Sequence, residues 1–195
     1  MQITNQCTGS PINPAPGDLY VMHKSINNRR SIMRMSVDIV LAEKKHLSAI
    51  LALVGDYERY DVEFAKRYYD MYFGKGRITE KDKVYVANID GRTIGVIGLS
   101  RDYFSTEYSY WLGWFVVDKD YRGNKDYRVA KKLLQKVESE LVKRKIRKLF
   151  VSTEDKNGRA KSFYAKNGFR TEAVLRDYYY KGEDQLILSK VLHQR

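Results

Sequence analysis

The sequence predicts an α/β (α+β) fold: one mixed sheet, mostly antiparallel and of about seven strands, with helices packed on it. Three observations carry this reading. From Ser36 onward, β-rich runs and helical periods follow one another in the order β-α-α-β-β-β-α-β-α-β-β. Asp90-Gly91 separates two β-rich runs, a strong local signal for a hairpin. A strand, a polar loop, a long helix and a further strand then occupy Tyr110 to Ser152, which calls for a parallel crossover at the centre of the sheet.

The elements follow in chain order. Ser36 to Leu41 alternates as a strand, and Leu47, Ile50, Leu51 and Val54 fall at helical spacing. A second helix spans about Asp61 to Phe73 and is crowded with Phe64, Tyr68, Tyr69, Tyr72 and Phe73. Val84 to Ile89 and Thr93 to Leu99 are the hairpin strands. Tyr110 to Val117 is almost wholly apolar and aromatic, as a central strand is. After the loop Asp118 to Tyr127, a helix from about Arg128 to Arg144 carries the stripe Val129, Ala130, Leu133, Leu134, Val137 and Leu141. Lys148 to Ser152 is a short strand. Asn157 can cap a helix bearing Ala160, Phe163 and Tyr164, and Asn167-Gly168 can stop it. Two last strands cover about Phe169 to Tyr178 and Asp184 to Leu192.

Composition excludes several function classes. One cysteine, Cys7, rules out a disulfide framework, and with only His23, His46 and His193 scattered along the chain no metal site is expected. No apolar run is long enough for a membrane span, and the first residues lack the form of a signal peptide, so a cytoplasmic chain, monomeric or homodimeric, is expected. Lys and Arg total 36 against 24 acidic residues, so the field of this +12 chain attracts anions. Residues 1–35 hold Pro11, Pro14 and Pro16 and no sustained apolar period. They read as a partly disordered N-terminal extension ahead of one domain, 36–195, with Met33 and Met35 just before the compact part. Lys24, Arg29, Arg30 and Arg34 allow a nucleic-acid arm there, but a solvated tail is the favoured reading.

Two segments can carry chemistry. In Val117-Asp118-Lys119-Asp120-Tyr121-Arg122-Gly123-Asn124, leading to Ala130-Lys131-Lys132-Leu133-Leu134, a strand end feeds a helix N-terminus. Free backbone N–H groups and the helix dipole there suit a pyrophosphate, Gly123 admits close approach, and Arg122 and Arg128 add charge. A solvated surface turn would have the same composition. The second segment is Asn157-x-x-Ala160-x-x-Phe163-Tyr164-x-x-x-Gly168-Phe169. Ala160 lets a ligand lie against the helix, and the Tyr164 phenol is a competent proton donor to a thiolate. The alternative is that Phe163 and Tyr164 are plain core.

Together these segments and the element order resemble the GCN5-related N-acetyltransferases (GNAT) over about residues 36 to 192. The resemblance implies a twisted sheet with helices on both faces and a splayed central strand pair. It implies transfer of an acetyl group from acetyl-CoA to an amine by direct attack in a ternary complex, with no metal. By position, Phe115, Val116 and Val117 would offer backbone groups to the pantetheine arm. Arg122, Gly123, Asn124, Arg128, Val129 and Ala130 would hold the pyrophosphate. Asn157 would lie beside the pantetheine, and Tyr164 would protonate the departing thiolate. The family's phosphate loop is Arg/Gln-x-x-Gly-x-Gly/Ala. Here Arg128 stands at a glycine position, and about three extra residues separate Arg122-Gly123 from Val129-Ala130.

Arg176-Asp177-Tyr178-Tyr179-Tyr180-Lys181-Gly182-Glu183-Asp184 resembles the C-terminal turn of protein N-terminal acetyltransferases, including the ribosomal-protein alanine acetyltransferases. The resemblance would lay Tyr178 and Tyr179 over the acceptor peptide and make a protein N-terminus the acceptor. A small polyamine-like or sugar amine is an alternative acceptor, and a degenerate, non-catalytic fold acting as a basic binding module is another function. Glu107 and Asp118 flank the central strand as general-base candidates, although a plain surface carboxylate is the favoured reading of each. His46 is expected to be an exposed helix residue.

Overall fold

The computed structural model describes residues 36–57, 62–74, 82–101 and 108–192. The N-terminal extension and Glu107 lie outside the described residues. Strands β1 (Asp38–Leu41), β2 (Lys83–Ile89), β3 (Arg92–Arg101), β4 (Ser109–Val117), β5 (Lys148–Glu154), β6 (Arg170–Tyr180) and β7 (Glu183–Val191) form one sheet in the order β1-β2-β3-β4-β5-β7-β6. Every neighbouring pair is antiparallel except β4 and β5. That parallel pair follows from the crossover, because a helix carries the chain from the end of β4 back to the start of β5. The mixed sheet of seven strands is the predicted one, and the predicted element ends lie within about two residues of the observed ones.

Helices cover both faces. On one face α3 (Val129–Lys143) buries Val129, Leu133, Leu134, Val137 and Leu141 against Tyr85, Ile94, Ile97, Leu99 and Leu112. Tyr164 of α4 (Gly158–Lys166) and Phe169 join that core. On the other face α1 (Leu47–Tyr57) and α2 (Val62–Phe73) bury Ile50, Leu53, Val54, Ala65 and Tyr69 over Val84, Val86, Val96 and Val116. The alternation of β2, with Val84 and Val86 on one side and Tyr85, Ala87 and Ile89 on the other, puts an apolar residue toward each helical layer. This two-sided burial is why the central strands read as continuous apolar runs.

His46 differs from its expected exposed place. It ends a 3-10 turn, Lys44–His46, ahead of α1, and is buried, with Nδ1 accepting the Glu43 backbone N–H at 2.9 Å. The imidazole closes the turn by taking a donor that the backbone leaves unpaired, so it is drawn in from solvent.

Tyr69 makes a sharper statement about stability. Its side chain is completely buried, and its hydroxyl has no hydrogen-bond partner among the described residues. An unpaired buried hydroxyl costs about 1–3 kcal/mol. Tyr69→Phe is therefore expected to raise stability by about 1 kcal/mol and Tm by about 3 °C, measured by thermal and urea unfolding. Burial, and then the neighbouring Tyr68 and Tyr72, push the Tyr69 phenol well above its ordinary value of 10.0. The folded state thus keeps the proton while the unfolded chain loses it. Stability is full below pH 10 and falls as pH rises past it, and the Phe variant should lose less there.

Candidate active site

The site begins with a failure of strand pairing. β4 pairs with β5 only through Ser109↔Lys148, Tyr110↔Leu149 and Trp111↔Phe150. From Leu112 to Val117, β4 keeps β3 as its partner and parts from β5, which remains paired with β7 along its whole length. A wedge-shaped slot therefore opens between the two parallel strands. The departure coincides with an irregularity in β4, where Trp114 adopts φ 48° and the β3 register shifts between Val96 and Gly98. A non-glycine residue in this left-handed region is held there by its surroundings, here the rings of Tyr68 and Tyr69 at 6.4 and 6.3 Å from the Trp114 ring.

Backbone polarity along β4 decides which groups line the slot. The Asp118 N–H donates to Ile94 O at 2.9 Å, so residue 118 faces β3. Alternation then turns Val117 and Phe115 toward the slot and Val116 toward its β3 partner, Val96. Of the three residues expected to offer backbone groups to a ligand, Val116 is thereby corrected: its groups belong to the sheet. The Val117 carbonyl already accepts Arg122 Nε at 2.6 Å. The Phe115 side chain packs against Phe163 and Tyr164 of α4, with ring centroids at 5.7 and 6.5 Å.

The loop after β4 closes the wide end. Asp118 is buried and doubly committed, with Oδ2 held by Arg92 Nη2 at 2.6 Å and Oδ1 accepting the Asp120 N–H at 2.9 Å. It caps the 3-10 turn Lys119–Tyr121. Neither the surface-carboxylate nor the general-base expectation for Asp118 fits a carboxylate spent on an ion pair and a cap. Gly123 takes φ 75°, open to a ligand on its Cβ side. The extra residues form a compact turn around Asn124, whose Oδ1 accepts the N–H of Asp126 at 2.9 Å and of Tyr127 at 3.2 Å. Asn124 thus shapes the loop through its side-chain oxygen.

Arg128 occupies the left-handed region with φ 51°, as the N-cap of α3, and its side chain makes no capping bond. The Lys132 N–H is bonded to Arg128 O, which leaves the N–H groups of Val129, Ala130 and Lys131 without intrahelical partners. Arg128 is exposed, so its side chain does not fill the slot. Near this end, Nη2 of Arg122 is buried without a partner among the described residues. An orphaned guanidinium N–H and the free N–H groups of an uncapped helix N-terminus are each donors of the kind that suits a phosphate group.

On the opposite wall, Asn157 Oδ1 accepts the Ala160 N–H at 3.0 Å, the cap expected from sequence. Its Nδ2 donates to the Tyr57 phenol oxygen at 2.5 Å. Tyr164 is only 6% exposed and packs on Phe115, Phe163 and Phe169. Burial, and secondarily Tyr57, raise its phenol well above the ordinary range. The two readings of Tyr164 thus coexist: it is a core residue at the wall of the slot. Tyr178 and Tyr179 are 55% and 40% exposed and do not pack on α2 as core. Tyr179 accepts a hydrogen bond from Gln185 Nε2 at 3.0 Å, and its ring meets Tyr178 edge-on at 5.0 Å. The hairpin tip abuts the loop before α4, where the Asp155 N–H donates to Asp184 O at 3.0 Å and Lys156 pairs with Glu183 at 3.0 Å.

The sequence profile described as the Acetyltransferase (GNAT) family matches residues 48–169. The chain belongs to the GNAT acetyltransferases. It is an enzyme of that family, and acetyl-CoA is its acetyl donor. No curated protein matches the sequence. Among solved structures, a GNAT-family protein from Desulfovibrio desulfuricans is similar at 21% identity and TM-score 0.73, over 81% of this chain and 100% of its own. An aminoglycoside 6'-N-acetyltransferase complexed with coenzyme A is similar at 14% identity and TM-score 0.67, over 81% of this chain and 98% of its own. The ribosomal-protein-S18-alanine N-acetyltransferase of Escherichia coli is similar at 19% identity and TM-score 0.63, over 82% of this chain and 96% of its own.

For this GNAT acetyltransferase, the left-handed backbone at Arg128 explains why the family's phosphate loop has glycine there, since glycine adopts φ 51° without a steric penalty. The chain keeps the backbone turn with an arginine and swings the side chain to solvent. Among the described residues there is no helix long and apolar enough to cross a membrane and no group of three or more His, Cys, Asp or Glu placed to hold a metal. A cleft of about 620 Å³ lies between α1 and the β2–β3 turn, lined by Lys45, His46, Asp56, Arg92 and Asp118 among others, and meets the loop after β4 at Asp118. Tyr57 is the residue that sequence reasoning missed. No local signal marks it, because its partner lies 100 positions away.

Proposed function

We propose that this GNAT acetyltransferase acetylates a protein N-terminal α-amine, with acetyl-CoA lying in the slot between β4 and β5. The observation that carries the acceptor assignment is the Tyr178-Tyr179 pair. It is solvent-facing at the end of β6, steadied by Gln185, and set on a hairpin tip bonded to the loop that leads to Asn157. Similarity to ribosomal-protein-alanine N-acetyltransferases, such as that of Brucella melitensis at 21% identity and TM-score 0.64, supports the same reading.

The chain's own groups divide the work. Slot-side backbone of Phe115 and Val117 pairs with the pantetheine amides. Arg122 Nη2, Gly123 and the first N–H groups of α3 take the pyrophosphate, with the Arg128 guanidinium outside them. The acceptor attacks the thioester carbonyl as a neutral amine, a tetrahedral intermediate forms, and the C–S bond breaks. The Tyr164 phenol gives its proton to the departing sulfur, the attacking nitrogen releases its extra proton to solvent, and the phenolate regains a proton from solvent before the next turnover. An α-amine has an ordinary pKa of about 8, so roughly one in ten is neutral at pH 7 and attack needs only a modest proton acceptor.

The test is a screen of short peptides differing in their first two residues beside a panel of small amines. Turnover of a subset of peptides is expected. In Tyr179→Ala, KM for the preferred peptide should rise about tenfold while KM for acetyl-CoA stays within about twofold. Turnover of polyamines or amino sugars in preference to every peptide would replace the acceptor assignment.

A further inference from the structure

Tyr57, the last residue of α1, belongs to neither segment that resembles the family's donor-binding motifs, yet it touches both walls of the slot. Its phenol oxygen accepts Asn157 Nδ2 at 2.5 Å, at the start of α4 beyond β5. The Arg122 guanidinium lies over its ring at 5.4 Å from the centroid, and Arg122 is itself fixed to the end of β4 through Val117 O. Tyr57 is 51% exposed, so the ring is not held there by the core. The Asn157 amide is engaged at both ends, its oxygen by the Ala160 N–H and its nitrogen by Tyr57. The Tyr57 oxygen is used as an acceptor, and its own proton has no acceptor among the described residues.

We propose that Tyr57 is a donor-binding residue: it fixes the Asn157 carboxamide and offers its O–H to a carbonyl oxygen of an amide-containing arm lying between β4 and β5. This rests on the slot reading above. The phenol has the right chemistry for the task, since the pantetheine arm carries amide carbonyls and the slot walls supply mainly backbone groups. The ring also packs against the Arg122 guanidinium, whose Nη2 is buried without a partner among the described residues.

The experiment compares wild type, Tyr57→Phe and Tyr57→Ala by calorimetry with CoA and by initial-rate kinetics. Tyr57→Phe removes the hydroxyl and keeps the ring over which Arg122 lies. Its Kd for CoA and KM for acetyl-CoA are expected to rise about five- to tenfold, the loss of one or two hydrogen bonds, with kcat within about twofold and Tm unchanged. Tyr57→Ala should weaken binding further. Pantetheine, which lacks the phosphates, should lose as much affinity in Tyr57→Phe as CoA does. Unchanged or tighter CoA binding by Tyr57→Phe would overturn the proposal, since a side chain that merely plugs the slot binds no ligand and its removal would help. A fall in kcat with unchanged Kd would overturn it equally. Failure of the wild-type protein to bind CoA at all would instead remove the slot reading, which keeps the two failures distinct.

Discussion

Tyr164→Phe is expected to lower kcat about 100-fold while leaving the Kd for CoA within about threefold, the signature of a group used in the transition state and little in the ground state. The geometry supports a large effect. Tyr164 is enclosed by Phe115, Phe163 and Phe169, so water is poorly placed to replace the lost phenol. Burial raises the phenol above its ordinary value, which by itself makes a weaker acid. The same desolvation raises the proton affinity of a thiolate leaving in the slot, so donor and acceptor stay matched. The direction of the shift fixes a pH result as well. With its ionisation pushed upward, Tyr164 keeps its proton below pH 10, so kcat should show no alkaline fall from this group in that range. Stopped-flow or coupled assays of thiol release from pH 6 to about 10 measure both. A Phe variant with kcat within about threefold of wild type would end the acid assignment for Tyr164.

Gly98→Ala should give the largest structural effect, a loss of about 3 kcal/mol in urea unfolding together with weakened CoA binding. Gly98 of β3 stands opposite Gly113 of β4, and a Cβ at 98 would lie 2.8 Å from the Gly113 carbonyl oxygen. Backbone cannot yield as a side-chain tip does, so β4 must move at the point where it parts from β5. The control is Gly113→Ala, whose Cβ would meet nothing within 4 Å and should cost less than about 1 kcal/mol. Equal losses from both variants would show that the close approach of β3 to β4 does not set the shape of the slot.

Much of this protein was readable from local rules. The alternation of β2, the stripe of α3 and the Asp90-Gly91 turn are short-range patterns, and they fix element type because burial on a pleated or helical surface has a definite period. The Asn157 cap was equally local, since the side chain that closes the helix lies three positions from the N–H it accepts. The motif residues Arg122, Gly123, Ala130, Asn157 and Tyr164 are legible only through the resemblance, and their donor-binding roles belong to the proposed function.

The remainder came from contacts that no window of sequence contains. Asp118 read as a surface carboxylate because its partner, Arg92, lies 26 positions back across the hairpin. His46 is the local exception: its bond with the Glu43 N–H spans only three positions, but a single 3-10 turn has no apolar period to mark it. Val116 was grouped with its neighbours because register against β3, and not residue type, decides which way a backbone carbonyl points. Tyr57 carried no signal, because α1 and α4 come together only once the sheet places them.

The sequence by itself determined the elements, their order, the crossover and the family, for these depend on periodicity and short motifs. Only the tertiary structure decided where β4 leaves β5, which backbone groups face the opening, and that Tyr57 joins its two walls. Those features arise from glycine contact, strand register and side chains brought together over long stretches of chain, and such distances exist only after folding.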